Sequence, residues 1–142
     1  PGVVLAPCDG EVLAAGVVDG VPEVGPGKWA RVAIGRPMLG MVIDRAPVAG
    51  RITEVRRDGG CCTTILRSRR GDCLVAHRSK VPGLGVVMRH RANALLARGE
   101  RMGLTRVGGT TEVYLPARDG YPVVSAGQVV RGGETVLMRY HA

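Results

Sequence analysis

Short apolar segments separated by glycine and other turn-forming residues follow one another along the chain of 142 residues. They are rich in valine and other β-prone side chains, which favour strands over helices. The clearest of them occupy residues 10–16, 29–34, 50–55, 63–66, 73–76 and 112–115. Short strands at this spacing predict an all-β or mainly β domain, built as a barrel or a sandwich.

Two similar glycine-containing phrases recur at residues 97–103 and 126–137. Such phrases are typical of the tight turns in barrel-sandwich hybrid folds, which include the biotinyl and lipoyl carriers. Neither phrase contains the lysine that those carriers modify, so a carrier role is not expected. Because a chain of this length fits one domain with its own core, we predict a single barrel-sandwich hybrid-like domain over residues 1–142.

Residues 86–98 fit the strand pattern less well than the rest of the chain. They combine helix-favouring side chains with an apolar spacing that suits either period. From propensity alone, the second half of this segment would be helical.

The amino-acid composition limits the class of protein. The predicted core is aliphatic, because the chain has no phenylalanine, one tryptophan and three tyrosines. No apolar run approaches the roughly 20 residues that span a bilayer, and the chain does not begin with the basic segment of a signal peptide. Its four cysteines form no recognisable secreted disulfide framework, so we interpret them as reduced thiols of a cytoplasmic protein.

The formal net charge of +8 comes almost entirely from arginine, since lysine occurs only at Lys28 and Lys80. Arginine makes bidentate contacts with carboxylates and phosphates, so this charge suits a small anionic substrate or ligand, or a phospholipid surface. A solvated arginine-rich surface without a partner fits the same composition. Nucleic acid is not expected, because base-stacking aromatic side chains are scarce and no helix-turn-helix or zinc-finger spacing occurs.

Cysteine and aspartate supply the first candidates for chemistry. Cys8 lies beside Asp9 and could act as a nucleophile or a weak acid, with simple burial of the thiol as the alternative. Cys61 and Cys62 point to opposite faces if they lie on a strand, which makes shared metal ligation awkward. No cysteine pair has the C-x-x-C spacing of a structural zinc site, so no metal is predicted.

Four segments, in the same order, carry a resemblance that covers nearly the whole chain. Residues 1–12 (PGVVLAPCDGEV) and 38–55 (MLGMVIDRAPVAGRITEV) are similar to P-G-V-V-L-A-P-A-D-G-x-V and I-L-D-V-H-V-N-R-A-P-V-S-G-x-V-x-x-V. Residues 101–116 (RMGLTRVGGTTEVYLP) and 124–137 (VSAGQVVRGGETVL) are similar to R-F-G-M-I-R-F-G-S-R-V-D-V-Y-L-P and V-x-V-G-Q-x-V-x-A-G-E-T-V-L. These are motifs of the short bacterial and archaeal phosphatidylserine decarboxylases, and the chain resembles that family.

The resemblance implies a compact β-rich domain of the phosphatidylserine decarboxylase type. Residues 86–103 match a strand, turn and strand of the family without a gap, so we adopt the β interpretation of this segment. The resemblance leaves membrane association open, although no apolar segment of the chain supports it.

In that family a serine hydroxyl attacks the carbonyl of the preceding glycine, and the chain breaks to leave a pyruvoyl group that forms a Schiff base with the substrate amine. The resemblance places Gly109 at this serine, Val42 at a motif histidine and Gly40 at a motif aspartate. Asp9 matches the aspartate of the family's processing and catalytic machinery. Because glycine has no hydroxyl, we expect no self-cleavage at this position and no pyruvoyl cofactor.

His77 falls where the family has a glutamine close to its site, which makes it the third catalytic candidate after Asp9 and Cys8. A structural histidine is the alternative. Arg78 and Lys80 follow it and are expected to bind an anionic substrate.

Thr110 adjoins the position of the missing serine and is a further substrate-binding candidate. If the register had slipped, Gly109–Thr110 would be the scissile bond and cleavage would leave a 2-oxobutyryl group. Counting from Gly103 and from Pro116 both place the missing serine at Gly109, so we interpret Thr110 as a strand residue.

Three functional hypotheses follow. The favoured one is a repurposed, pyruvoyl-independent enzyme that uses Asp9 with Cys8 or His77 on a small anionic or amino-acid-derived substrate. The second is a non-catalytic protein that binds a ligand or a partner and functions as a homo-oligomer or a hetero-oligomer. The third is a cryptic decarboxylase that cleaves itself at Thr110.

Overall fold

The computed structural model describes residues 2–20, 24–37, 41–79, 86–88, 92–106 and 108–142. Within these residues the regular secondary structure is entirely β, and no helix capable of crossing a membrane is present. The strands are β1 (Val3–Leu5), β2 (Gly10–Asp19), β3 (Lys28–Gly35), β4 (Met41–Arg45), β5 (Gly50–Asp58), β6 (Cys61–Ser68), β7 (Gly71–Arg78), β8 (Val86–Met88), β9 (Leu95–Leu96), β10 (Arg101–Arg106), β11 (Thr110–Pro116), β12 (Gly120–Pro122), β13 (Val129–Val130) and β14 (Val136–Tyr140).

These strands form three antiparallel sheets. The largest has eight strands in the order β13-β2-β3-β11-β7-β6-β5-β9, and it curls into a half-barrel. Two three-stranded sheets have the orders β1-β14-β12 and β4-β10-β8. The expectation of a mainly β, barrel-like domain is therefore confirmed.

The main core lies against the inner face of the large sheet. Alternation along β11 turns Val113 and Leu115 into this core and Tyr114 to the opposite face, where it packs with a second, smaller apolar cluster. The central strands therefore bury both of their faces, which explains why β11 is an almost continuous buried run. The side chains of the main core are aliphatic or sulfur-containing, as the composition predicts.

The ambiguous segment 86–98 contains two strands rather than a helix where the structure describes it. β8 pairs with β10, and β9 pairs with β5 at Gly50 and Arg51. Asn93, in the turn before β9, has a φ of 75°. Such a left-handed residue breaks a right-handed helix, so tertiary pairing overrides the helix propensity of the neighbouring residues.

Candidate active site

A group of polar side chains is buried at one end of the inner face of the large sheet. We call it the buried polar cluster, and its members are Cys8, Arg36, Asp44, His77, Thr105 and Thr111. Each is at most 5% exposed. Strand pairing brings part of it together, because Thr111 of β11 lies directly opposite His77 of β7. Buried polar groups normally have hydrogen-bond partners or a function, so this cluster is a candidate functional region.

Asp44 and His77 face each other at the centre of this cluster. His77 Nε2 lies 3.3 Å from Asp44 Oδ1, but the two groups are not aligned for a hydrogen bond. The Thr105 hydroxyl donates a hydrogen bond to the other carboxylate oxygen, Asp44 Oδ2. Among the described residues, Asp44 Oδ1 and both ring nitrogens of His77 have no hydrogen-bond partner. The cluster therefore contains buried polar atoms that no described residue pairs with.

The Cys8 thiol belongs to this same buried environment. Burial, followed by the negative charge of Asp44, raises the pKa of Cys8 to about 12, and a hydrogen bond with Thr111 only partly offsets this. At neutral pH the group is consequently a neutral thiol, whereas the nucleophilic form is the thiolate. Of the two roles predicted for Cys8, this environment suits the weak acid better than the nucleophile.

Arg36 holds the segment that precedes β11. Its guanidinium donates hydrogen bonds to the carbonyl oxygens of Gly108, Thr110 and Arg78 at 2.8 Å each, and to the Thr111 hydroxyl at 2.7 Å. Its backbone N–H donates to the carbonyl of Gly109 at 3.0 Å. One side chain and one amide therefore fix the whole turn that contains Gly109.

Gly109 has no room for a side chain in this arrangement. Its φ is +87°, and a β-carbon there would lie 2.2 Å from the Arg78 carbonyl oxygen and 2.6 Å from Arg36 Nη2. Because one of those atoms is backbone, the clash cannot be relieved by moving a side chain alone. A side chain at this position would therefore require the Arg78 backbone to shift.

Asp9 points away from the buried polar cluster, although it follows Cys8 directly in sequence. It is exposed, and its Oδ1 accepts a hydrogen bond of 2.8 Å from the Gly132 N–H. It lines a cleft of about 540 Å³, which we call the Asp9 cleft and which is bounded by Asp9, Pro37, Met41, Val42, Ile43, Arg45, Gly99, Gly132, Gly133 and Glu134. Asp9 therefore lies apart from its two candidate partners, Cys8 and His77, whose side chains face the interior.

The two predicted sites Arg78 and His77 also separate, because consecutive strand residues point to opposite faces. Arg78 lies on the outer face, where its Nε is 2.6 Å from Glu112 Oε1 and where Arg31 binds the other oxygen of Glu112.

Thr110 is half-buried at the start of β11. Gly40 and Lys80 lie outside the described residues.

The remaining sequence positions behave as strand alternation predicts. Cys62 is buried, whereas Cys61 is partly exposed and packs against the outer cluster. Among the described residues, no group of three or more histidine, cysteine or acidic side chains is placed to hold a metal ion.

Sequence reasoning missed Asp44 and Arg36, which contribute most to the electrostatics of the cluster. A signal for Asp44 was available, because it replaces the asparagine of the N-R-A-P-V motif with an acid inside an otherwise apolar segment. Arg36 carries no comparable signal, since it stands outside the matched motifs.

Curated relatives of the chain share one description. It is 33% identical to the phosphatidylserine decarboxylase proenzyme of Mycobacterium avium over 96% of its own length and 64% of the relative's. It is 35% identical to that of Thermobifida fusca, covering 94% of this chain and 68% of the relative. It is 33% identical to that of Pelobacter propionicus, covering 96% of this chain and 68% of the relative. The chain thus spans about two thirds of the length of these relatives. No family model and no solved structure matches it.

Proposed function

The chain belongs to the phosphatidylserine decarboxylase family, and from that premise we propose that it is an uncleaved member that binds a small amino-acid-derived ligand in the Asp9 cleft. The proposal has two parts, the intact chain and the ligand. The first depends on the surroundings of Gly109 and the second on the side chains that line the cleft.

The observation that carries the proposal is the absence of space at Gly109. Serine-dependent cleavage needs a hydroxyl at this residue, and glycine has none. The Arg36 guanidinium and the Arg78 carbonyl occupy the volume where a β-carbon would stand. These contacts support a chain that has adapted to glycine here, rather than a processing site that lacks only the serine side chain.

The Asp9 cleft has the mixed charge that an amino-acid-like ligand requires. Asp9 and Glu134 offer carboxylates for an ammonium group, and Arg45 offers a guanidinium for a carboxylate or a phosphate. Val42 and Met41 supply apolar surface between them. The relatives are named for phosphatidylserine, whose head group is itself an amino acid. A ligand of this class is therefore consistent with the family.

Binding without decarboxylation is the function that these residues support best. A decarboxylase of this family uses the pyruvoyl group as its electron sink, and Gly109 has no hydroxyl from which that group could form. Asp9 is retained and accessible, so it can still hold the ligand's ammonium group.

Calorimetric titration of the protein with O-phospho-L-serine and L-serine tests the ligand. We expect saturable binding that Asp9→Asn weakens at least about 10-fold, the equivalent of about 1.4 kcal/mol. Asparagine keeps an oxygen for the Gly132 N–H, so this variant preserves the turn and changes only the charge. Asp19→Asn, at the exposed end of β2, is the matched control. Absence of binding, or equal binding by both variants, would refute the proposal.

A second candidate function is the repurposed, pyruvoyl-independent enzyme, and one observation favours it. The unpartnered atoms of Asp44 and His77 lie 3.3 Å apart beside the Cys8 thiol. A histidine held against a carboxylate is an arrangement that can transfer protons to and from a ligand. Since these groups are at most 1% exposed, catalysis would require the cluster to open.

Exchange of the ligand's α-proton in D2O, followed by NMR, tests this second candidate. A catalytic protein would exchange the proton faster than buffer, and His77→Gln would reduce that rate at least about 100-fold while leaving calorimetric binding in place. No exchange above buffer by the parent protein would eliminate the enzyme and leave the binding protein.

A further inference from the structure

A groove with an apolar floor and a rim of arginines lies apart from both the buried polar cluster and the Asp9 cleft. Its volume is about 1020 Å³, at the upper end of the range of about 300–1,000 Å³ for small-molecule sites. We call it the arginine groove, and it is lined by Gly2, Val3, Val48, Ala49, Gly50, Arg51, Arg67, Ser68, Arg69, Arg70, Leu95, Leu96, Ala97, Arg98, Glu100 and Tyr140. It shares no residue with the Asp9 cleft.

The floor of the arginine groove is formed by aliphatic side chains, of which Leu95 is largely exposed. Leu95 of β9 is 68% exposed, although the neighbouring Leu96 is buried in the core. Val3 and Val48 also line the groove, although Val48 is only 3% exposed and belongs to the main core. A large exposed leucine beside other apolar groups within a concavity indicates a ligand with an apolar part.

Five arginines surround this floor, and they are not equally engaged. Arg51 donates to the carbonyl of Asn93 at 2.8 Å, Arg67 pairs with Asp72 at 3.1 Å, and Arg70 lies over the Tyr140 ring. For Arg69 and Arg98, the described part of the chain provides no carboxylate partner. Both are exposed, so their guanidinium groups are available to an anion.

We propose that the arginine groove binds a single-chain anionic amphiphile, with its alkyl chain along Leu95 and its phosphate or carboxylate between Arg69 and Arg98. The concave shape favours one chain over a flat bilayer, because the apolar residues form a floor and the arginines form a rim. A nucleic acid fits less well, since the one aromatic ring in the lining, Tyr140, is covered by Arg70.

Calorimetric titration with dodecyl phosphate below its micellar concentration tests the proposal. We expect saturable binding at least about 10-fold tighter than that of dodecyl maltoside, which has the same chain without charge, or of inorganic phosphate, which has the charge without the chain. Equal binding of dodecyl phosphate and dodecyl maltoside would overturn the proposal. The proposal would also be overturned if the protein sedimented with anionic vesicles but did not bind the monomeric amphiphile. That result would indicate that the groove binds a membrane surface.

Paired variants locate the binding site. Arg69→Glu with Arg98→Glu should weaken binding of dodecyl phosphate at least about 10-fold, whereas Arg118→Glu with Arg131→Glu makes the same change of net charge outside the groove and should have little effect. Leu95→Asp should also weaken binding, whereas Val129→Asp, at a residue that is 73% exposed elsewhere, should not. Similar losses in groove and control variants would show non-specific attraction to a basic protein and refute the site.

Discussion

Two features of its surroundings favour glycine at position 109, the backbone conformation and the close packing. Its positive φ lies in the region that L-residues with side chains rarely adopt. Two neighbouring groups also stand within 2.6 Å of the place where a β-carbon would be. The two effects can be separated experimentally, because Gly99 has nearly the same φ, +84°, and open space around it.

Gly109→Ala and Gly99→Ala therefore form a matched pair. We expect Gly99→Ala to lower the free energy of unfolding by about 1 kcal/mol, the cost of backbone strain alone. Gly109→Ala should lower it by about 2 kcal/mol more, because the added methyl group must displace the Arg78 carbonyl. Urea denaturation measures both values. Equal losses in the two variants would show that the turn around Gly109 is loose.

At the scale of single residues, sequence comparison predicted which positions are unusual but not how they are grouped. The Asp9 cleft contains Asp9 and Val42, two of the positions that the resemblance singles out. The structure does not bring Asp9 together with Cys8 or His77, because Asp9 is exposed in the bend before β2 whereas the other two side chains are buried. Asp44 was missed because its significance depends on burial beside His77, which joins segments far apart in sequence.

Arg36 acts at the scale of elements, since it ties the start of β11 to β3 and β7. It follows directly after β3, and its guanidinium reaches the turn before β11 and the last residue of β7. Burial lowers the pKa of Arg36, and the negative charge of Asp44 opposes this effect. The geometry of the segment that contains Gly109 therefore depends on this side chain.

Arg36→Met should destabilise the protein by about 3–5 kcal/mol, because it leaves buried carbonyl oxygens without donors. Hydrogen exchange should accelerate at the amides of Gly109, Thr110 and Thr111 before it does so in β5 and β6. Arg56→Met is the control, since Arg56 pairs with Glu54 on the surface, and its loss should change stability by less than about 1 kcal/mol. Unchanged stability and exchange in Arg36→Met would contradict the assigned role.

The strands themselves were largely predictable from local pattern. The predicted segments 73–76 and 112–115 fall inside β7 and β11, whose observed bounds are wider. Strands extend beyond the β-prone residues because pairing with neighbours adds positions of neutral propensity. The order of strands in the large sheet could not be predicted, since it depends on contacts between distant segments.

At the scale of the whole molecule, the core is aliphatic and contains thiols that burial keeps neutral. Burial raises the pKa of Cys73, as it does that of Cys8, to about 12 from an ordinary value of 9.0. Below pH 9 both thiols are neutral in the folded and unfolded chain, so they give no dependence on pH. Above pH 9 the unfolded chain loses these protons first, and stability must fall until the folded thiols also titrate near pH 12.

The free energy of unfolding should therefore fall between pH 9 and pH 11, with each buried thiol contributing up to about 1.4 kcal/mol per pH unit. Burial also raises the pKa of the Tyr140 phenol, so it contributes with the same sign. The difference in slope between the parent and Cys8→Ala isolates one thiol, and Cys73→Ala provides an independent repeat. Identical slopes for the parent and both variants would show that neither thiol is protected from ionisation.

The fold class and the family followed from the sequence, whereas the surfaces that could bind ligands did not. The positive charge was visible in the composition, but its concentration around an apolar floor results from the turns that bring residues 67–70 and 95–98 together. Whole-molecule charge alone would have been equally consistent with a uniformly solvated surface.

An intact-protein mass spectrum under denaturing conditions tests the central claim most directly. If the chain is an uncleaved member of its family, the spectrum contains one species with no break on either side of Gly109. Two fragments that meet between Gly108 and Gly109, or between Gly109 and Thr110, would show that self-cleavage persists and would contradict the account.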